Sequence, residues 1–189
     1  LLIVSDGEET GTGGVTFVDG NSTTTGMNAI CWGNNEFVAV GYAASAKTAN
    51  LDNAWTPGTM PTTSWRSVAY SPSLNKYVAV SGYNGANDDE AWATTSTDGV
   101  TWATMTTADT VSWSPTLNLF AVGGYSDLNL NVATSPDGIN WTSRTSTASQ
   151  HTASTWSASN NKFVMVGLTN GTNSAYTSAN GTAWIAGET

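Results

Sequence analysis

The stretch Ser96-Thr97-Asp98-Gly99-Val100-Thr101-Trp102 returns as Ser135-Pro136-Asp137-Gly138-Ile139-Asn140-Trp141 and, altered, as Ser178-Ala179-Asn180-Gly181-Thr182-Ala183-Trp184. Asp-Gly or Asn-Gly between runs of β-favouring residues is a strong hairpin signal, because both central residues of a type I′ turn need positive φ. Each copy is therefore expected to be a strand, a tight turn and a strand. The Asp or Asn side chain can accept hydrogen bonds from turn N–H groups, and the Ser hydroxyl two positions earlier can do the same. A buried Trp covers about 150 to 250 Å², a ceiling of roughly 4 to 6 kcal/mol at about 25 cal/mol per Å². The motif thus pairs a turn with a hydrophobic anchor, and its plain reading is structural.

Two further registers recur with the turn. The aromatic residues Trp32, Tyr70, Trp113 and Trp156 precede a first turn, and the last three are spaced by 43 residues, 113 less 70 and 156 less 113. Phe37, Tyr77, Phe120 and Phe163 each open an apolar run, followed by Gly41, Gly82, Gly123 or Gly167. A closing aromatic stands at Trp55, Trp102, Trp141 and Trp184. Seven of the nine Trp residues fall in two of these registers, which predicts shared core positions. A period of about 40 to 50 residues points to propeller blades. In the second repeat the predicted strands are A, 64–70; B, 76–81; C, 91–96; and D, 100–106. Strand B is apolar at consecutive positions, so both of its faces should be buried.

Ser-x-Asp-Gly-x-x-Trp resembles a one-residue-shorter form of the Asp-box repeat of sialidases and many other β-propellers, and the resemblance covers about Gly26 to Trp184. In that family the box lies at the turn between the third and fourth strands of a blade, away from the active site. The resemblance implies an all-β fold, a β-propeller of four-stranded antiparallel blades, and assigns Ser96, Asp98, Gly99, Trp102, Ser135, Asp137, Gly138, Trp141, Ser178, Asn180, Gly181 and Trp184 to structural boxes. The expected organisation is a single domain over 1–189, with a degraded unit at 1–25 and full units at 26–61, 62–106, 107–145 and 146–189. In the first unit Gly14-Val15-Thr16-Phe17 matches Gly99-Val100-Thr101-Trp102, Gly13 stands where Asp should be, and strand A is missing. The count is five blades, the first incomplete.

Only 10% of the residues are charged, and the net charge is -9 with a pI near 4.1. Phosphate-backbone binding needs clustered Lys and Arg, so nucleic acid is not an expected partner. No apolar run approaches the roughly 20 residues of a membrane span, so no membrane insertion is expected. The single cysteine, Cys31, excludes an internal disulfide and reads as a buried thiol between Ile30 and Trp32. Starting on Leu1, the chain reads as processed or as a piece of something longer.

In propellers of this strand order the B-to-C and D-to-A loops share a face, and variable loops on a fixed scaffold are where specificity is placed. The candidate ligand-binding residues on that face are Tyr42, Tyr83, Asn84, Asp88, Asp89, Glu90, Trp92, Tyr125, Asp127 and Asn129. Aromatic rings beside amides and carboxylates suit sugar recognition. The alternative is that the tyrosines pack at blade edges and the acids solvate a loop. Calcium needs six to eight oxygen ligands, and the adjacent Asp88, Asp89 and Glu90 cannot all point inward from one strand, so no metal and no cofactor is assigned. His151, the only histidine, has no paired ligand or nucleophile nearby in sequence and is expected at the surface or packed in a loop. A sialidase needs three arginines on the substrate carboxylate, and this chain has only Arg66 and Arg144. A glycoside hydrolase needs a facing carboxylate pair, and nothing marks one, so no catalytic residue is assigned.

The expected role is a non-enzymatic binding or structural module at an extracellular or virion surface, on the pattern of phage appendages and decorations that carry such repeats. Its partners would be other subunits of an assembly or a surface glycan. A carbohydrate-binding lectin propeller is the alternative, and a glycoside hydrolase is the least favoured reading.

Overall fold

A computed structural model describes residues 26–50, 55–81, 92–106, 108–124, 132–146, 150–169 and 172–187. Short β-favouring runs separated by Ser, Asn and Gly turns give fourteen strands, with no helix among the described residues. They are β1 (Met27–Gly33), β2 (Glu36–Thr48), β3 (Thr56–Ser71), β4 (Lys76–Ser81), β5 (Trp92–Ser96), β6 (Ala103–Thr106) and β7 (Thr110–Ser114), followed by β8 (Leu119–Gly123), β9 (Val132–Ser135), β10 (Thr142–Arg144), β11 (Gln150–Ser157), β12 (Lys162–Thr169), β13 (Thr172–Ser178) and β14 (Ile185–Ala186). Every ladder between them is antiparallel, in one six-stranded sheet, β1 to β6 in order, and two four-stranded meanders, β7 to β10 and β11 to β14. The result is an all-β, β-propeller-like fold.

The six-stranded sheet holds two blades. Positive φ at Ala43 divides β2, so that Gly41 and earlier residues pair with β1 while Ala44–Lys47 pair with β3. β3 is itself shared, Thr56–Thr59 closing the first blade and Trp65–Ser71 opening the second. The expected boundary between 61 and 62 therefore falls inside a strand.

The turns correct one expectation. In the boxes only Gly99, Gly138 and Gly181 have positive φ, at 72 to 74°, so these are not type I′ turns. Pairing resumes only at Thr95↔Ala103, Thr134↔Thr142 and Thr177↔Ile185, which places the whole box in the turn and shortens the fourth strand. The type I′ geometry occurs instead at Asn34-Asn35, φ 51 and 57°, between the paired Gly33 and Glu36. In the next three blades the equivalent turn is stapled by Ser71, Ser114 and Ser157, whose Oγ atoms accept the N–H of Leu74, Leu117 and Asn160. Each of these turns ends on a left-handed Asn, at Asn75, Asn118 and Asn161.

The core lies at the seams between blades. Val40 meets Trp65, Val68 and Ala79 at the first seam. Val78, Val80 and Ala93 meet Val111, Trp113 and Phe120 at the second. Ala121 and Val132 meet Phe163, Met165, Tyr176 and Trp184 at the third. Within each blade the first two aromatic registers touch, with ring centroids 4.6 Å apart for Trp32–Phe37, 4.7 Å for Tyr70–Tyr77, 4.5 Å for Trp113–Phe120 and 4.9 Å for Trp156–Phe163. The closing Trp residues sit 6.1 to 6.5 Å from the same rings in the last three blades.

Shared registers do not mean equal burial. Trp32 is 53% exposed, while its counterpart Trp113 is buried, because no described blade precedes the first. Trp65 lies outside both registers yet is fully buried, and it donates its Nε1–H to Pro61 O at 3.2 Å. His151 is also a correction. It is fully buried, edge-on to Tyr176 at 5.2 Å, because it faces the third seam rather than solvent. Cys31 is half-buried at the edge of the first seam, and desolvation pushes its thiol up to about 12.

Candidate functional site

Each box is a compact hydrogen-bond device. Ser96 Oγ accepts from Gly99 N at 2.8 Å and Asp98 N at 3.2 Å, and donates to Asp98 Oδ1 at 2.9 Å. Asp98 Oδ1 also accepts from Val100 N and Thr101 N at 2.8 and 2.7 Å. Ser135 and Asp137 repeat this pattern, and Ser178 with Asn180 repeats most of it using an amide oxygen. Burial raises the Asp98 carboxyl, but the N–H groups of Thr101 and Val100 and the Ser96 hydroxyl outweigh it and hold the group at about 2. Asp137 is held well below the usual carboxylate range, chiefly by Asn140 N–H. Both carboxylates are thus held ionised at neutral pH, accepting the turn amides through Oδ1.

The box glycines do a second job. A Cβ on Gly99 would lie 2.7 Å from Val38 Cγ2, one on Gly138 2.8 Å from Val78 Cγ2, and one on Gly181 2.7 Å from Leu119 Cδ2. Each of those partners belongs to the second strand of the preceding blade. The turn therefore docks backward as well as closing its own hairpin. Lys76 Nζ tightens one such seam by donating to Asp137 O at 2.8 Å, and Trp102 Nε1 donates to Ser45 Oγ at 3.0 Å across another.

A cavity of about 430 Å³ opens at the leading ends of the inner strands, lined by Asn28, Ser64, Arg66, Asp109, Gln150 and Thr152. Asn28, Arg66, Asp109 and Thr152 occupy one register, four residues before Trp32, Tyr70, Trp113 and Trp156. In three blades this residue is the extra one of a β-bulge, between Met27 and Ala29, Trp65 and Ser67, and His151 and Ala153. A bulge leaves one residue unpaired and re-aims its side chain. In the other blade Asp109 sits just ahead of β7 and is tied by its N–H to Gly123 O at 2.8 Å. Inner strands are fixed to one another by Asn28 Nδ2 to Trp65 O at 2.9 Å, Val111 N to Ser67 Oγ at 3.2 Å, and Thr110 Oγ1 to Ser154 Oγ at 2.9 Å.

The cavity thus gathers a guanidinium, a carboxylate, two amides and two hydroxyls on a rigid frame. Such a set suits a neutral or zwitterionic polar ligand held by hydrogen bonds. It contains no histidine or cysteine, and among the described residues no three His, Cys, Asp or Glu side chains cluster to hold a metal.

Of the residues singled out from the sequence for ligand binding, Tyr42 is 61% exposed at the end of the first blade's second strand, and its register partner is the cavity residue Ser64. Tyr83, Asn84, Asp88, Asp89, Glu90, Tyr125, Asp127 and Asn129 lie outside the described residues, and Trp92 opens β5. The cavity residues were missed. Their signal was a register whose residue changes from Asn to Arg to Asp to Thr inside an otherwise repeated strand.

No protein-family model and no curated protein matches the chain. Among solved structures, the crystal structure of a nidogen/laminin complex is similar, with a TM-score of 0.60 at 11% sequence identity over 82% of this chain. The match takes in 61% of that chain, so this protein spans less than two thirds of its length. At such identity the likeness bears on fold alone, and it supports the β-propeller-like arrangement.

Proposed function

We propose that the chain is a non-enzymatic binding and structural module that works outside the cell, a five-bladed propeller of Asp-box type with an incomplete first blade, borne on a virion as an appendage or decoration. The observation that carries a binding role is the polar cavity, where one register of a repeated scaffold holds a different hydrogen-bonding side chain in each blade. The virion setting rests on the resemblance of the repeats to those of phage surface proteins and on a surface made polar by Ser, Thr and Asn with few charges. Partners on this reading are other subunits of the assembly, with neither nucleic acid nor membrane engaged.

The lectin alternative draws on one specific observation, the exposed Tyr42 ring beside Ser64 at the cavity edge. A glycan array probed with the native chain and with Arg66→Ala separates the two. Binding lost in the variant favours the lectin. Absence of glycan binding, with fixed stoichiometry of the chain in purified particles by mass spectrometry, favours the assembly component. Hydrolase turnover abolished by Asp109→Ala would overturn both.

A further inference from the structure

Asparagine followed by glycine is the pair most open to deamidation, because a residue without Cβ leaves its backbone nitrogen unhindered. The chain holds three such pairs, at Asn84, Asn170 and Asn180, and the last lies among the described residues, in the third box. The reaction there is attack by the deprotonated Gly181 N on Asn180 Cγ. The bond from Cγ to the amide nitrogen breaks, that nitrogen takes up a proton and leaves as ammonia, and a five-membered imide remains. Water then opens the imide, giving aspartate where it breaks the bond from Cγ to Gly181 N, and isoaspartate where it breaks the main-chain bond from Asn180 C to Gly181 N. The sum is amide plus water to carboxylic acid plus ammonia.

The folded turn acts on both reacting groups. Asn180 is exposed, so water reaches it, and its Oδ1 accepts from Thr182 N and Ala183 N at 2.9 and 3.0 Å. Those donors would stabilise the negative charge that Oδ1 gains during attack. The brake therefore lies at the nucleophile. Gly181 N–H is buried and donates to Ser178 Oγ at 2.9 Å, and Gly181 itself sits where an added Cβ would meet Leu119 of the preceding blade. Base cannot take that proton, and the nitrogen cannot swing onto Cγ, until the turn lifts.

We propose that Asn180-Gly181 is a fold-gated modification site, shut while Ser178 holds Gly181 and open when this turn opens, with water as the co-reactant. The aspartate product suits the position. Asp98 and Asp137 fill it in the other two boxes and accept from the same two N–H groups. They also accept the Ser hydroxyl at 2.9 and 2.8 Å, against 3.3 Å for Asn180, so conversion to aspartate tightens the box. Isoaspartate, with one more carbon in the main chain, loses the spacing between that acceptor and its donors.

The test incubates the native chain and the chain in urea at pH 8 and follows each Asn-Gly peptide by mass spectrometry. In urea Asn84 and Asn170 serve as references for an unprotected pair. Closure of the turn by about 1.4 kcal/mol already slows attack about tenfold, so Asn180 should convert at least about tenfold more slowly in the native chain than in urea. Equal rates would overturn the proposal. Ser178→Ala should convert several-fold faster than the native chain, while Ser178→Thr, which keeps the hydroxyl, should stay slow. An alanine variant with native Trp fluorescence and the native rate would also overturn it. If Ser178→Ala does not fold, the native chain in urea below its melting transition decides. Conversion of Asn180 should then rise in step with hydrogen exchange of the Gly181 N–H, and a rate that stays flat while exchange accelerates overturns the gate. Asn180→Asp should melt at the same urea concentration as the native chain or higher, and a lower one refutes the fit of the product.

Discussion

Lowering the pH from 7 to 4 is expected to strip about 3 kcal/mol from this protein through one side chain. His151 is fully buried beside Tyr176 and Trp184, its Nε2 paired with Ser146 Oγ at 3.2 Å and its Nδ1 without a partner among the described residues. Desolvation lowers its pKa from 6.5 to about 4. In the unfolded chain the imidazole takes up a proton near its ordinary value, while the folded chain refuses it until about pH 4. Between those values the unfolded state binds more protons, so stability falls as pH falls and levels off below the folded value. The gap of about 2.5 pH units, at 1.36 kcal/mol each, gives the figure of about 3 kcal/mol. The box carboxylates act in a separate window. Asp98, depressed from 3.8 to about 2, contributes stability that is present above 3.8 and lost as pH falls through 2. Urea melts followed by Trp fluorescence at pH 7, 6, 5 and 4, on the native chain and on His151→Phe, isolate the histidine, since the variant should lose the slope between 7 and 4. With one histidine in the chain, its Cε1–H NMR resonance is unambiguous. Titration of that resonance near 6.5 in the folded protein, or equal slopes in the two proteins, would refute the reasoning.

Other expectations are read from the same melts and simple chemistry. Gly138→Ala should cost about 2 to 4 kcal/mol, combining roughly 1 to 2 for a left-handed residue with the displacement of Val78. Asp137→Asn should cost under about 1 kcal/mol, because Asn180 already fills the third box with an amide oxygen, whereas Asp137→Ala should cost about 1 to 3 kcal/mol through the lost turn acceptor. Trp102→Phe should exceed Trp141→Phe by about 1 kcal/mol, since Trp102 donates to Ser45 Oγ and the Trp141 N–H has no partner among the described residues. Cys31, raised to about 12, should resist a thiol-exchange reagent at pH 8 in the native protein and react at once in urea.

The sequence was informative wherever a constraint is local or repeats. The second strand of the second repeat was placed at the residues of β4, and the Ser, Asp and Gly of each box make the turn contacts their chemistry suggests. The turn type was misread because the Asp side chain captures two N–H groups beyond the glycine, opening the loop that a two-residue hairpin would have closed. His151 was misplaced because its burial comes from residues 25 and 33 positions further on, Tyr176 and Trp184. The cavity was illegible for the same kind of reason. A bulge at Arg66 is defined by which residues of β4 pair with Trp65 and Ser67, and no window around Arg66 contains that pairing.

The unbroken β3 ties the first two blades together differently from all the rest. Its backbone runs from one blade into the other, hydrogen-bonded to β2 over Thr56–Thr59 and to β4 over Trp65–Ser71, so the two blades are joined through a strand they share. Later blades belong to separate sheets and meet their neighbours through side chains and isolated backbone contacts. In unfolding terms the first two blades form one cooperative unit, and the softest joint in the described chain lies beyond β6. Hydrogen exchange should find β1 to β6 opening together, with β7 to β10 and β11 to β14 each free to open at a lower cost.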